Sequence, residues 1–160
     1  MDVLRSHGRS NAEVAEKCCG AFCWGVYDDA ENRVKYGAVA GSMEVLVDVL
    51  RSHGCSNAEM AEKCCVAIGN ITYENAENRG KYCAVAGSME VLVDVLKAHG
   101  KNPDSSEAFE YCCRAIEKLC ESYASNVAKL KSLNIIQVLK HEVTVTVPYN
   151  AKDRAIVVLR

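Results

Sequence analysis

No stretch of this 160-residue chain approaches the run of about 20 apolar residues that a membrane-spanning helix requires. A dominant charge is missing too: the net charge is −2, with 25% charged residues of both signs interspersed, so no strong field draws phosphate backbones or anionic lipid. Neither nucleic acid nor membrane is therefore an expected partner. The opening MDVLRSHG lacks a charged segment followed by an apolar one and carries no secretory pattern. Glycine-rich phosphate loops, an H-E-x-x-H motif and a Ser/His/Asp set on distinct loops are all absent. No converging group of titratable residues is left, so no catalytic residue, cofactor or metal is expected. The one conceivable dyad, Cys55 with His53, sits on a single turn with no third group to orient it. These exclusions point to a soluble, cytoplasmic, non-enzymatic protein, with the nucleus or a cytoskeletal assembly as other locations.

What is present is repetition. MDVLRSHG is followed 46 residues later by VDVLRSHG and, after another 46, by VDVLKAHG, so Asp2, Asp48 and Asp94 mark one place in three copies. Residues 2 to 47 and 48 to 93 differ at 12 of 46 positions, which leaves 34 identical. The third copy drifts after a longer stretch around NPD, and Cys112, Cys113, Ala115, Ile116, Asn126 and Lys129 then recur at an offset of 48.

Ten cysteines suggest a disulfide scaffold in a short secreted chain, but their placement does not. The vicinal pairs Cys18-Cys19, Cys64-Cys65 and Cys112-Cys113 fall mid-helix, where cysteine behaves as a small buried hydrophobe. No C-x-x-C pair faces another at zinc-finger spacing, and stacked helices about 8 to 10 Å apart hold most equivalent cysteines beyond disulfide reach. Cys55, in a loop, is the expected reactive thiol.

Each unit reads as helices. Ser56 to Glu59 forms a capping box, matched by Ser10 to Glu13 and, with aspartate first, by Asp104 to Glu107. Ala61, Cys64, Ile68 and Ile71 then recur at helical spacing and form a buried stripe on a helix running to about Tyr73. A short helix over AENRGKYCAVAG ends at Gly87, and MEVLVDVLKAHG ends at Gly100, both glycines expected to relieve a left-handed backbone. His53, His99 and His7 precede such glycines, where the helix dipole favours a cation.

A short, a medium and a long helix per unit is the pattern of an armadillo repeat. AVAGSMEVLVDVLRSHG at 38 to 54 resembles that family's alanine-glycine followed by a leucine-rich second helix, and AEKCCVAIGN at 61 to 70 is similar to its third helix. The resemblance implies an all-α, right-handed α-solenoid of three-helix repeats over residues 1–160, truncated at both ends. Its parts are a partial repeat 1–27, repeats 28–73 and 74–122, and a partial repeat 123–160. It further implies that the third helices line a groove that binds an extended peptide or a partner helix.

The helical wheel independently turns Glu59, Glu62, Lys63, Val66, Asn70 and Tyr73 away from the buried stripe. Copy one offers Glu13, Glu16, Lys17, Gly20, Trp24 and Tyr27 there, and copy three Glu107, Glu110, Tyr111, Arg114, Lys118 and Glu121. The candidate groove residues are Glu16, Gly20, Trp24 and Tyr27; Glu62, Val66, Asn70 and Tyr73; and Glu110, Arg114 and Lys118. Trp24, the only tryptophan, is either an interface anchor or tucked under a neighbouring helix. Glu16, Glu62 and Glu110 form an acidic row, solvated or suited to a basic segment. Asn70 matches the asparagine with which peptide-binding armadillo proteins clamp a ligand backbone, while Trp24 and Lys118 stand at the same place in the other copies.

The chain begins inside a second helix and ends inside a third. Residues 134 to 143 read as the last second helix, VTVTVP at 143 to 148 as an extended connection, and Asn150 to Asp153 as a cap on RAIVVLR. Ile156, Val157, Val158 and Leu159 then look uncovered. Three roles follow: a protein- or peptide-binding scaffold; a subunit or fragment of a larger homo- or hetero-assembly docked through open ends; and a nuclear-import adaptor, which needs an asparagine ladder that Asn70 alone supplies.

Overall fold

The computed structural model of the chain describes residues 1–142 and 151–160. Among them every regular element is helical: α1 (Asp2–His7), α2 (Ala12–Val26), α3 (Ala30–Ala38), α4 (Ser42–His53), α5 (Ala58–Thr72), α6 (Ala76–Ala84), α7 (Ser88–His99), α8 (Ser106–Cys120), α9 (Ala124–Ser132), α10 (Ile135–Gln137) and α11 (Ala151–Val158). A 3-10 turn (Pro103–Ser105) precedes α8, and α10 runs into a π-helical turn (Val138–Glu142). The last second helix is thus present but distorted, and the extended connection at 143 to 148 and the cap residue Asn150 lie outside the described residues. Lengths of nine, twelve and fifteen residues recur in α3, α4, α5 and in α6, α7, α8, so the same triplet forms twice, from near-identical sequence in its first two helices and from drifted sequence in α8.

Equivalent helices stack. α5 packs against α2 on one side and α8 on the other, and α11 packs against α8. The stripe expected on α5 is buried: Ala61, Cys64 and Ile68 are fully enclosed and Ile71 nearly so. At the far end Ile156 and Leu159 are buried and Val157 alone among the large hydrophobics of α11 is exposed, because α11 lies on α8. The expectation that these residues stand uncovered therefore fails for Ile156 and Leu159.

Two details of the helix ends also differ from expectation. The caps are Asn11 and Asn57, one residue later than the serines; their side chains accept from the amides of Val14 and Met60, while the Ser10 and Ser56 hydroxyls turn back to the carbonyls of His7 and His53. In the third copy Asn102 caps the 3-10 turn, and Asp104 is not the cap of α8. Gly8, Gly54 and Gly100 are right-handed, not left-handed. Glycine is required at Gly54 for space: a Cβ would meet Leu50 Cδ1 and Val95 Cγ2, each at 2.9 Å. The left-handed glycines are Gly41 and Gly87, at φ +70 and +76, which open α4 and α7 rather than close the helices before them; Asn134 takes the same place before α10.

The histidines join successive copies. His53 Nε2 lies 2.7 Å from Gly8 O and His99 Nε2 lies 2.6 Å from Gly54 O, so each ring reaches the preceding unit instead of serving only its own helix end. Arg5 and Arg51 likewise donate to Ala40 O and Ala86 O. A third recurring contact closes the long helices. Asn32, Asn78 and Asn126 donate to Gly25 O, Ile71 O and Leu119 O at 2.7, 2.9 and 2.7 Å, satisfying last-turn carbonyls that a helix cannot pair itself. Asn78 also donates to Arg33 O at 2.9 Å, whereas the Asn126 Oδ1 is buried without a partner.

Asn78→Ala strands two buried carbonyls and should cost about 2–3 kcal/mol in urea unfolding followed by circular dichroism. Asn126→Ala removes one bond together with an unsatisfied oxygen and should cost about 1 kcal/mol. Equal losses would show that the amide contacts do not differ as described.

Candidate functional site

The polar sides of α2, α5 and α8 enclose a trough of about 670 Å³. α2 and its cap contribute Gly20, Cys23, Trp24 and Tyr27; α5 and its cap contribute Glu62, Lys63, Cys65, Val66, Gly69, Asn70 and Tyr73; α8 contributes Tyr111, Arg114, Ala115 and Lys118. Nine of the eleven candidate residues are thus brought together: Gly20, Trp24, Tyr27, Glu62, Val66, Asn70, Tyr73, Arg114 and Lys118. Glu16 and Glu110 are not among them. Glu110 is buried beneath Arg114, one turn further along α8, whose Nη2 lies 2.6 Å from its carboxylate, and Glu16 is taken by Lys17 at 2.8 Å. Among the described residues no acidic row faces the trough; Glu62 is the one carboxylate lining it, and Lys63 lies 2.7 Å away.

Lys63 and Tyr111 lie on the predicted polar face although they were not in the candidate set. Cys65, Gly69 and Ala115 belong nearer the seam. Their signal was smallness: a Cβ on Gly69 would stand 3.7 Å from Ala115 Cα, so the helix backbones come close and the floor of the trough is small side chains.

Trp24 is 82% exposed and Tyr27 67% exposed. Trp24 is therefore not tucked under a neighbouring helix. At the other end the aromatic rings carry cations: Lys118 Nζ lies 4.7 Å and the Arg33 guanidinium 5.0 Å from the Tyr73 ring, and Arg114 lies 5.2 Å from that of Tyr111. Asn70 lines the trough, but its amide donates to Cys23 O at 3.2 Å, so one donor is spent on the neighbouring helix.

The cysteines are all free. The Cys64 and Cys112 thiols donate to Leu46 O and Leu92 O at 3.5 and 3.4 Å, and each lies beside a thiol of the preceding long helix, Cys19 on α2 and Cys65 on α5. Burial pushes the Cys23 and Cys120 thiols up to about 12, and holds Cys113 well above the ordinary thiol range. The neighbouring Cys19 thiol together with burial raises Cys64, and burial together with the neighbouring Cys65 thiol raises Cys112. Cys55 is the exposed thiol, as expected, but partial burial and the charge of Asp94 raise it, so it is reachable without being activated. Among the described residues no group of three or more His, Cys, Asp or Glu is placed to hold a metal ion, and no helix is long and apolar enough to cross a membrane.

Compared with family models, curated proteins and solved structures, the chain matches none.

The raised thiols fix the sign of a pH effect. Between the unfolded thiol value near 9 and the folded value of about 12, the folded chain binds more protons than the unfolded one, so stability falls as pH rises through that window. Urea midpoints should be level from pH 7 to 8 and drop steadily above 9, with a shallower drop in Cys23→Ala. At pH 7 a thiol reagent should label Cys55 first, more slowly than free cysteine. Rapid labelling of Cys64 or Cys112 in the native chain would contradict the burial described.

Proposed function

We propose that the chain is an armadillo-type α-solenoid acting as a non-enzymatic scaffold, and that it holds an extended segment of a partner protein along the trough between α2, α5 and α8. The observation that carries this reading is Trp24. A tryptophan 82% exposed at one end of a continuous concavity gains little from the fold and offers a large rigid anchor to a partner. The resemblance of residues 38 to 54 and 61 to 70 to armadillo helices, and the side-by-side packing of equivalent helices, support the same assignment.

A second reading is docking through an end of the stack. It draws support from Val3, Val34 and Val39, exposed large hydrophobics within the first 39 residues, and from Val157 on α11. Import of lysine-rich cargo is poorly supported, since Trp24 and Lys118 replace the asparagine in two copies and cations outnumber carboxylates along the trough.

Selection of a displayed random-peptide library on the immobilised full chain should enrich binders that Trp24→Ala weakens about 30-fold or more, a hot-spot loss of about 2 kcal/mol. Helical content should not change, because Trp24 is outside the core. Val157→Asp should leave these peptides bound. Peptides insensitive to Trp24→Ala, or self-association abolished by Val157→Asp, would favour docking through the ends.

A further inference from the structure

The trough is chemically polar along its length. At the α2 end stand Trp24 and Tyr27, exposed and without charge. Toward α8 stand Arg114 and Lys118, whereas Lys63, on α5, lies beside Cys23 of α2 and is paired at 2.7 Å with Glu62, the one carboxylate lining the trough among the described residues. Of the acids that pair with Arg114 and Lys118, Glu110 and Glu117 are 6% and 8% exposed and Glu121 is exposed, and none of the three lines the trough. Lys118 in particular is held loosely, 4.0 Å from Glu117 and 3.8 Å from Glu121, with its ammonium over the Tyr73 ring. A carboxylate arriving from the trough would meet the ammonium at the partly exposed side of this pair.

We infer that the occupant of the trough is an acidic protein segment in extended form, with an aromatic or large apolar residue at the Trp24–Tyr27 end and aspartate or glutamate over Lys118 and Arg114. This rests on the groove reading above and adds the chemistry and direction of the ligand. Spacing follows from the stack. Two helix-to-helix steps of about 8–10 Å separate α2 from α8, and an extended chain rises about 3.3 Å per residue. The anchor and the acidic group are therefore about five to six residues apart. The charge arrangement excludes the basic ligand that an acidic row over Glu16, Glu62 and Glu110 would have favoured, because two of those three carboxylates do not face the trough.

The test uses the full chain and four synthetic peptides of equal length, each with one phenylalanine. The first carries a glutamate pair five to six residues from the phenylalanine, the second the same pair two residues away. The third has lysine in place of glutamate, and the fourth serine. Trp24, the only tryptophan, reports arrival in the trough by a blue shift of its emission, and dye-labelled peptides give affinities by anisotropy. The first peptide should bind at least 10-fold tighter than the serine peptide and tighter than the second, and should weaken as salt is raised. Lys118→Gln should remove most of that margin, weakening the first peptide far more than the serine peptide; Lys63→Gln, which leaves the Glu62 carboxylate uncompensated at the trough, should reduce it in the same direction. A lysine or serine peptide that shifts Trp24 and binds as well as the first overturns the acidic assignment and leaves the groove reading standing. If none of the four moves the Trp24 emission, both fail.

Discussion

The long helices α2, α5 and α8, with the shorter α11 against α8, stand side by side because the residues at their seams are small. Alanine and cysteine fill those seams: Ala61, Cys64, Cys65 and Ala67 on α5, and Cys112, Cys113 and Ala115 on α8, all fully buried. Their shared vicinal cysteines have a geometric cause. A step of 100° along the helix aims Cys64 back at Cys19 on α2 and Cys65 forward at Cys112 on α8, so two adjacent thiols serve two different neighbours. Cys18, which holds the backward position on α2, is only half-buried, and Ala21, the counterpart of Ala67 and Ala115, is exposed. Burial at the seam thus depends on the next unit and not on the residue itself, which is the energetic property of a stack.

Hydrophobic contact of this kind is tolerant of sliding, and the polar contacts remove that freedom. The imidazoles of His53 and His99 each reach a glycine carbonyl one unit back, and those glycines also keep the backbone close to Val49 and Val95. Arg5 and Arg51, in the last turns of α1 and α4, add bonds to Ala40 O and Ala86 O, just ahead of α4 and α7. Each of these bonds has one correct distance, so together they set the register that alanine and cysteine alone leave loose. Copy-to-copy substitutions show where the register is relaxed: Lys97 follows Arg5 and Arg51, and Cys55 replaces Arg9, whose partner Asp48 corresponds to Asp94 beside Cys55.

How far the sequence disclosed this follows from the range of each signal. Ala61, Cys64, Ile68 and Ile71 were readable because a buried helix face writes its period locally. The caps were displaced by one because serine and asparagine stand side by side and both can cap; only the three-dimensional path shows that Asn11 and Asn57 take the amide. The histidines looked like helix-end cations because their partners, Gly8 and Gly54, lie 45 residues away, beyond any local pattern. Most of the trough was legible from the wheel, since whatever is not stripe must face outward. Glu110 was misplaced because the wheel fixes the direction of a side chain's root and not the fold of Arg114 over its carboxylate.

The differences between copies one and two separate into two causes once the contacts are known. Phe22 meets the Tyr36 ring edge-on at 5.1 Å, and a Cβ on Gly25 would lie 3.5 Å from the Tyr36 hydroxyl. Copy two puts Ile68 and Ile71 at the same two places, so the loss of a ring at one and the gain of a side chain at the other partly offset each other within the core. Gly20/Val66 and Trp24/Asn70 do not compensate each other in this way. A Cβ on Gly20 meets nothing within 4 Å and Trp24 is mostly in water, whereas in copy two Val66 packs partly against the core and Asn70 donates to Cys23 O, so this side of the helix takes up different contacts in each copy. The seam constrains one side of each long helix while the trough side is free to differ, which is how one repeated unit can present tryptophan, asparagine and lysine in successive copies without disturbing the stack that carries them.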